Sequence, residues 1–135
     1  MFDPEDRENV RELYARYAHT IDEGQFEQWA DCFTDDGVFD TRELGRFVGH
    51  DALLKMARDY RAGLNGAQQR HIIDNVSFSL EGGQGTGTCN LSHFVTRDGV
   101  TQLTGVGVYR DLLRKVNGKW RFESRIVGFD TEAPL

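Results

Sequence analysis

Three turn signals divide the second half of the chain, and they restrict the fold more than any other feature. Glu81-Gly82-Gly83-Gln84-Gly85, Asp98-Gly99 and Asn117-Gly118 interrupt long runs rich in β-branched and aromatic residues. Asn-Gly and Asp-Gly pairs supply the positive φ angles that tight hairpins need. The runs between them, 72–80, 86–96, 101–116 and 119–129, are therefore expected as consecutive antiparallel strands. Such a meander is half-buried at best on its own and needs a second layer.

The first half has a different period and can supply that layer. Val10, Leu13, Tyr14, Tyr17, Ala18 and Ile21 recur at helical spacing, which predicts a helix from Pro4 to a stop at Gly24. Asp3, Glu5 and Asp6 suit the positive end of its dipole. Phe26, Trp29, Ala30 and Phe33 predict a second helix, ended by a turn at Thr34-Asp35-Asp36-Gly37. Val38-Phe39 begins a short strand, and Gly45 and Gly49 bracket another extended piece. Leu53, Leu54, Ala57 and Tyr60 mark a third helix that starts near Asp51 and closes at Gly63 and Gly66. Helices first and a meander second imply an α+β fold, with N-terminal helices packed on one face of a strongly curved, mainly antiparallel sheet. That arrangement encloses a cone-shaped cavity of the kind that takes small ligands.

Pro4 and Pro134 are the only prolines, and no linker, repeat or low-complexity tract separates them, so residues 1–135 read as one domain. A chain of this size buries roughly two thirds of its unfolded surface and needs no disulfide or metal staple. The net charge of −6, from 22 acids against 16 Lys and Arg, argues against nucleic acid or an anionic membrane as partner. No apolar run reaches the roughly 18 residues of a membrane span, and Met1 to Arg11 lacks a signal peptide's apolar core. A cytoplasmic location is expected. Cys32 and Cys89 lack CxxC spacing and read as buried small hydrophobes.

Few residues stand out as chemistry. Tyr14 and Tyr17 lie on the apolar stripe of the first helix and read from spacing alone as packing residues. Asp22, at the edge of that stripe, is either a solvated helix-end carboxylate or a half-buried functional one. His93 shares a strand face with Cys89, Leu91 and Val95, which points it inward. His71 opens a long strand, but strict alternation groups it with Ile73, Asn75, Ser77 and Ser79, opposite the apolar Val76, Phe78 and Leu80. An inward His71 therefore requires a bulge or bend. Gly105, Gly107, Tyr109, Asp111 and Leu113 share one face, as do Arg121, Glu123, Arg125, Val127 and Phe129. A buried Arg125 needs a carboxylate or a ligand, and Asp111 is the candidate partner. No histidine pair has metal-ligand spacing, so no metal is expected. Gly83-Gln84-Gly85-Thr86-Gly87 lacks the spacing of a phosphate loop and precedes a strand rather than a helix.

The order Leu13-Tyr14-Ala15-Arg16-Tyr17-Ala18-His19-Thr20-Ile21-Asp22, then Gly24-Gln25-Phe26-Glu27-Gln28-Trp29, then Cys32-Phe33-Thr34-Asp35-Asp36-Gly37-Val38-Phe39, resembles the SnoaL-like branch of the nuclear transport factor 2-like superfamily. Arg70-His71, Tyr109-Arg110-Asp111 and Gly118-Lys119-Trp120-Arg121-Phe122 up to Arg125 extend the likeness over nearly the whole chain. The resemblance implies a cone-shaped α+β barrel. In dehydratases and a dehydrochlorinase of this family, an Asp ending the first helix orients a His that acts as general base; the matching residues are Asp22 and His71. Tyr17 matches a contributing tyrosine and Arg125 a helper of the leaving group. Tyr14, His93, Tyr109 and Phe33 are then expected to meet the substrate.

The resemblance thus implies a cofactor-independent dehydratase, cyclase or isomerase acting on a small, mostly apolar metabolite or xenobiotic, and a homo-oligomer. The rival readings are a non-catalytic ligand- or protein-binding module of the same fold, or a small subunit resembling the β subunit of aromatic-ring dioxygenases.

Overall fold

A computed structural model of the protein describes residues 3–135. The elements run α1 (Pro4–Asp22), α2 (Phe26–Ala30), β1 (Phe33–Thr41), β2 (Gly45–Val48), α3 (His50–Gly63), β3 (Gln68–Glu81), β4 (Gln84–Arg97), β5 (Val100–Val116) and β6 (Lys119–Phe129). The strands form one open sheet in the order β2-β1-β6-β5-β4-β3. Only the β1–β6 pair is parallel. The helices pack on this mixed sheet to give the cone-shaped α+β architecture.

Helix α1 begins as its sequence demands. The Asp3 carboxylate accepts the Glu5 N–H at 2.9 Å, and Pro4 follows as a residue whose missing N–H costs nothing there. At the other end, the Asp22 carbonyl would be orphaned. It accepts instead from the Arg61 guanidinium at 2.6 Å and the Gln68 amide at 3.0 Å. The buried stripe of α1 meets Trp29, Phe33, Phe39, Tyr109 and Phe122, whose ring centroids lie 5.7–6.4 Å from that of Tyr17. No helix among the described residues is long and apolar enough to cross a membrane.

Two expectations fail in the first half. Helix α2 stops at Ala30 and does not reach Phe33. The stretch Thr34–Gly37, expected as a turn, lies within β1. The cause is non-local. The Phe122 N–H donates to the Cys32 carbonyl at 2.7 Å, Phe33 pairs with Phe122 across β6, and the register then shifts before Val38. Pairing with β6 sinks Phe33 into the aromatic core, a gain that no extra helical turn would match. The kink is tight enough that a Cβ on Gly37 would lie 2.7 Å from that of Phe33.

The meander follows its turn signals. Asn117-Gly118 and Asp98-Gly99 close hairpins with both φ angles positive, and Gly82-Gly83 joins β3 to β4. Strict alternation is broken at three places. Register shifts occur between Asp74 and Ser77 in β3, opposite Thr104 in β5, and at Glu123 in β6. Each inserts a residue and turns the strand's facing over. In β3 the shift, with Asn75 at φ +53°, lets Gln69, His71 and Ile73 face the same side as Val76, Phe78 and Leu80. The outward placement of His71 given by alternation is therefore overturned. In β6, Trp120 and Phe122 join Arg125 and Val127 in the core, whereas Arg121 and Glu123, expected with them, do not. In β5 the expected face holds, with Gly107, Tyr109, Asp111 and Leu113 buried.

Candidate active site

A cavity opens between α1, α3 and the concave face of the sheet, with about 620 Å³ of empty space out to its mouth. Ile21, Trp29, Phe39, Met56, Leu91 and Val127 give it apolar walls, while His71, His93 and Tyr60 bring polar groups into its lining. The β1–β2 turn, Arg42 to Leu44, forms its rim, with Leu44 exposed.

Asp22 and His71 are built as a unit. Asp22 closes α1 and is buried, and β3 carries His71 past it. One carboxylate oxygen lies 2.6 Å from His71 Nδ1 and the other accepts the His71 backbone N–H at 2.9 Å. A carboxylate at a helix C-terminus opposes the dipole, so these two donors are what hold it there. The double contact fixes both the ring's angle and its tautomer, because a proton on Nδ1 satisfies the carboxylate. His71 lines the cavity, and its Nε2 makes no hydrogen bond with any described residue. The geometry leaves this nitrogen open toward a ligand.

His93 is arranged differently, although its ring lies only 4.7 Å from that of His71. Both nitrogens are occupied: Nδ1 lies 2.5 Å from Thr104 Oγ1, and Nε2 lies 3.0 Å from Gln69 Oε1 and 3.5 Å from Tyr60 Oη. Gln69 is fully buried and its own amide N–H₂ donates to the Ile21 carbonyl at 3.4 Å. Its oxygen therefore faces His93 Nε2, while Thr104 Oγ1 also donates to the His93 carbonyl at 3.0 Å. Burial, reinforced by the neighbouring His71, holds the His93 pKa down to about 4. His93 is thus an uncharged ring pinned at both nitrogens rather than a free base.

Tyr17 and Tyr109 also line the cavity, with their hydroxyls 3.4 Å apart. Burial pushes the Tyr17 phenol up to about 12 and raises Tyr109 well above its ordinary value. Both remain protonated donors at any physiological pH.

Three residues expected at the site are placed elsewhere. Arg125 is fully buried behind the cavity wall and is bound by Asp111, its Nε at 2.7 Å from one oxygen and its Nη2 at 3.1 Å from the other. Asp111 stands directly opposite Arg125 in the β5–β6 ladder. Tyr14 donates to the same Asp111 at 2.7 Å, and Phe33 belongs to the core aromatic cluster. None of the three lines the cavity. Their inward facing was readable from period, but which of two buried layers each joins depends on the tertiary packing.

Sequence reasoning missed Gln69 and Thr104, the partners of His93. Gln69 sits two residues before His71 on the same strand face, so a strand begun earlier would have included it. Thr104 occupies the β5 bulge, for which no sequence signal exists. Among the described residues no group of three or more His, Cys, Asp and Glu side chains is gathered to hold a metal ion. Cys32 and Cys89 are both free and buried.

A family model for the SnoaL-like domain matches residues 3–126. The chain belongs to the SnoaL-like family. Solved structures agree with that membership. A protein of unknown function from Mycobacterium tuberculosis, Rv3472, is 29% identical, with a TM-score of 0.87 over 95% of this chain and 78% of that one. Aln2 from a Streptomyces species is 26% identical, with a TM-score of 0.88 over 97% and 95%. An NTF2-like protein with a cystatin-like fold from Novosphingobium aromaticivorans is 26% identical, with a TM-score of 0.86 over 96% and 85%. No curated protein matches the sequence. In this SnoaL-like chain the cavity lies between the helices and the concave sheet, and His71, His93, Tyr17, Tyr60 and Tyr109 line it, with Asp22, Gln69 and Thr104 holding the two histidines from outside the lining.

Proposed function

We propose that this SnoaL-like protein is a cofactor-independent acid/base enzyme, a dehydratase, cyclase or isomerase, acting on a small and mostly apolar metabolite or xenobiotic. The observation that carries the reading is the Asp22–His71 contact at 2.6 Å with His71 Nε2 left open on a largely apolar cavity. His71 takes a proton from a carbon next to a carbonyl, and the electron pair of that C–H bond moves onto the carbonyl oxygen. Asp22 holds the ring in the required tautomer and stabilises the imidazolium that forms. Tyr17 donates to the developing oxygen. The enolate then expels a leaving group with the imidazolium proton, is reprotonated at another carbon, or attacks a second carbonyl. These outcomes are dehydration, isomerisation and cyclisation from one base.

The apolar walls favour ring-fused substrates with few charges. The outer sheet face exposes Ile72, Val106, Leu112 and Ile126, which supports assembly as a homo-oligomer; sedimentation of a single monomeric species would refute that part.

The test is turnover, or deuterium uptake from D₂O, across a panel of bicyclic β-hydroxyketones and cyclic enones. The wild type is expected to process at least one probe. His71→Gln is expected to lose about 10²–10⁴-fold in rate while keeping the fold, and Asp22→Asn to lose a substantial part of the same factor. Wild-type rates in His71→Gln would contradict the assignment.

A further inference from the structure

A second ionic group lies directly behind the cavity and plays no part in the mechanism above. The Arg125 guanidinium is fully buried and is stacked on four rings. Its Cζ lies 3.8 Å from the ring centroid of Tyr109, 4.2 Å from Phe122, 4.3 Å from Tyr17 and 5.2 Å from Tyr14. Asp111 binds Nε and Nη2, Cys89 Sγ stands 3.4 Å from Nη2, and Nη1 has no hydrogen-bond partner in the structure. Taking such a pair out of water costs several kcal/mol, and an apolar pair of similar size serves a core as well or better. Stability alone therefore gives no reason for Arg125 at this place.

Its position suggests one. The two rings nearest the cavity, Tyr17 and Tyr109, are both cavity-lining phenols. The bond between their hydroxyls uses one of their two protons and leaves the other to donate to a ligand. A fixed cation against both rings, enclosed away from water, makes that remaining O–H a stronger donor to negative charge, and Asp111 takes back part of the effect at Tyr17. Burial raises both phenols, and Arg125 pulls against it in each case.

We propose that Arg125 is a positioning residue: clamped by Asp111 behind Tyr17 and Tyr109, it turns their hydroxyl pair into a seat for an enolate oxygen. The inference rests on the acid/base reading and sharpens its substrate class. It favours carbonyl compounds that react through an oxyanion beside the abstracted proton, over substrates that lose a halide or hydroxide in one concerted step. Arg125 acts here without touching the substrate.

The test needs no knowledge of the natural substrate. 4-Nitrophenol mimics an oxyanion on a small ring, its absorbance reports ionisation, and 4-nitroanisole is its neutral counterpart. The wild type is expected to bind the ionised probe in preference to the neutral one and to lower the probe's apparent pKa. The double variant Arg125→Met/Asp111→Leu leaves neither charge unpaired. It is expected to lose that preference by about tenfold or more while binding 4-nitroanisole as before. If it does not fold, Arg125→Gln/Asp111→Asn, a neutral pair that can still hydrogen-bond across the same strands, is expected to lose the preference instead. An unchanged preference in whichever variant folds, or no preference for the ionised probe in the wild type, overturns the proposal. A sound probe preference combined with wild-type turnover in His71→Gln would refute the base assignment alone. The reverse pattern would refute this inference alone.

Discussion

Asp22 with His71, and Asp111 with Arg125, are two buried carboxylates that each hold a basic residue through both oxygens, Asp22 by the ring and the backbone N–H of His71, Asp111 by the guanidinium alone. They differ in what is left over. At the first pair the partner is a histidine, which can give up its proton, and its second nitrogen opens on a cavity. At the second the partner is an arginine, which cannot, and it is enclosed by aromatic rings. The first arrangement can pass a proton. The second can only supply a fixed field. Burial and pairing alone do not mark a catalytic group; the unused atom and the space in front of it do.

The largest expected effect breaks the sealed pair on one side. Arg125→Ala leaves the Asp111 carboxylate buried and uncompensated, and a loss of about 3–5 kcal/mol in urea denaturation is expected. At the open pair Asp22→Asn keeps an acceptor for one of the two His71 N–H groups and turns its amide N–H₂ toward the other, and about 1–2 kcal/mol is expected there. Equal losses would show that the two pairs are not different in kind.

A smaller effect reaches the sealed pair indirectly. A Cβ on Gly87 would lie 2.2 Å from the Tyr14 hydroxyl, so the tyrosine must move off Asp111. Gly87→Ala is expected to cost about 1–3 kcal/mol by overpacking. The Asp22–His71 unit should be untouched, read as unchanged side-chain nitrogen resonances of His71.

A further effect, read against pH, separates the two histidines. The folded chain holds His93 at about 4, against about 6.5 when unfolded. Between these values the unfolded chain binds the extra proton, so stability is present in full above pH 6.5 and falls as the pH drops toward 4. His93→Gln is expected to flatten that part of the stability profile. A profile equally steep without His93 would mean that other groups govern it.

Much of this contrast could be read before any coordinates. The helical stripe of α1, the face of α3 and the hairpin turns are local signals, carried by period and by dipeptides such as Asn117-Gly118. Asp111 and Arg125 could be matched because both fell on inward faces of adjacent strands. The parallel pairing of β1 with β6 could not be read, because it joins distant segments and overrides the helical spacing of Phe33. Nor could the bulges. One residue at Asn75 decides whether His71 faces the cavity or solvent, and nothing in its neighbours announces it. For that reason Asp22 and His71 stood out through family resemblance and not through spacing.

The most direct measurement is nitrogen NMR of the histidine side chains at mildly alkaline pH, where an unprotonated ring nitrogen is distinguished from one that carries hydrogen. His71 is expected with its proton on Nδ1 and a bare Nε2, and Asp22→Asn is expected to mix the two tautomers. A proton on His71 Nε2 in the wild type, with Nδ1 bare against Asp22, would contradict the role of His71 as the open base.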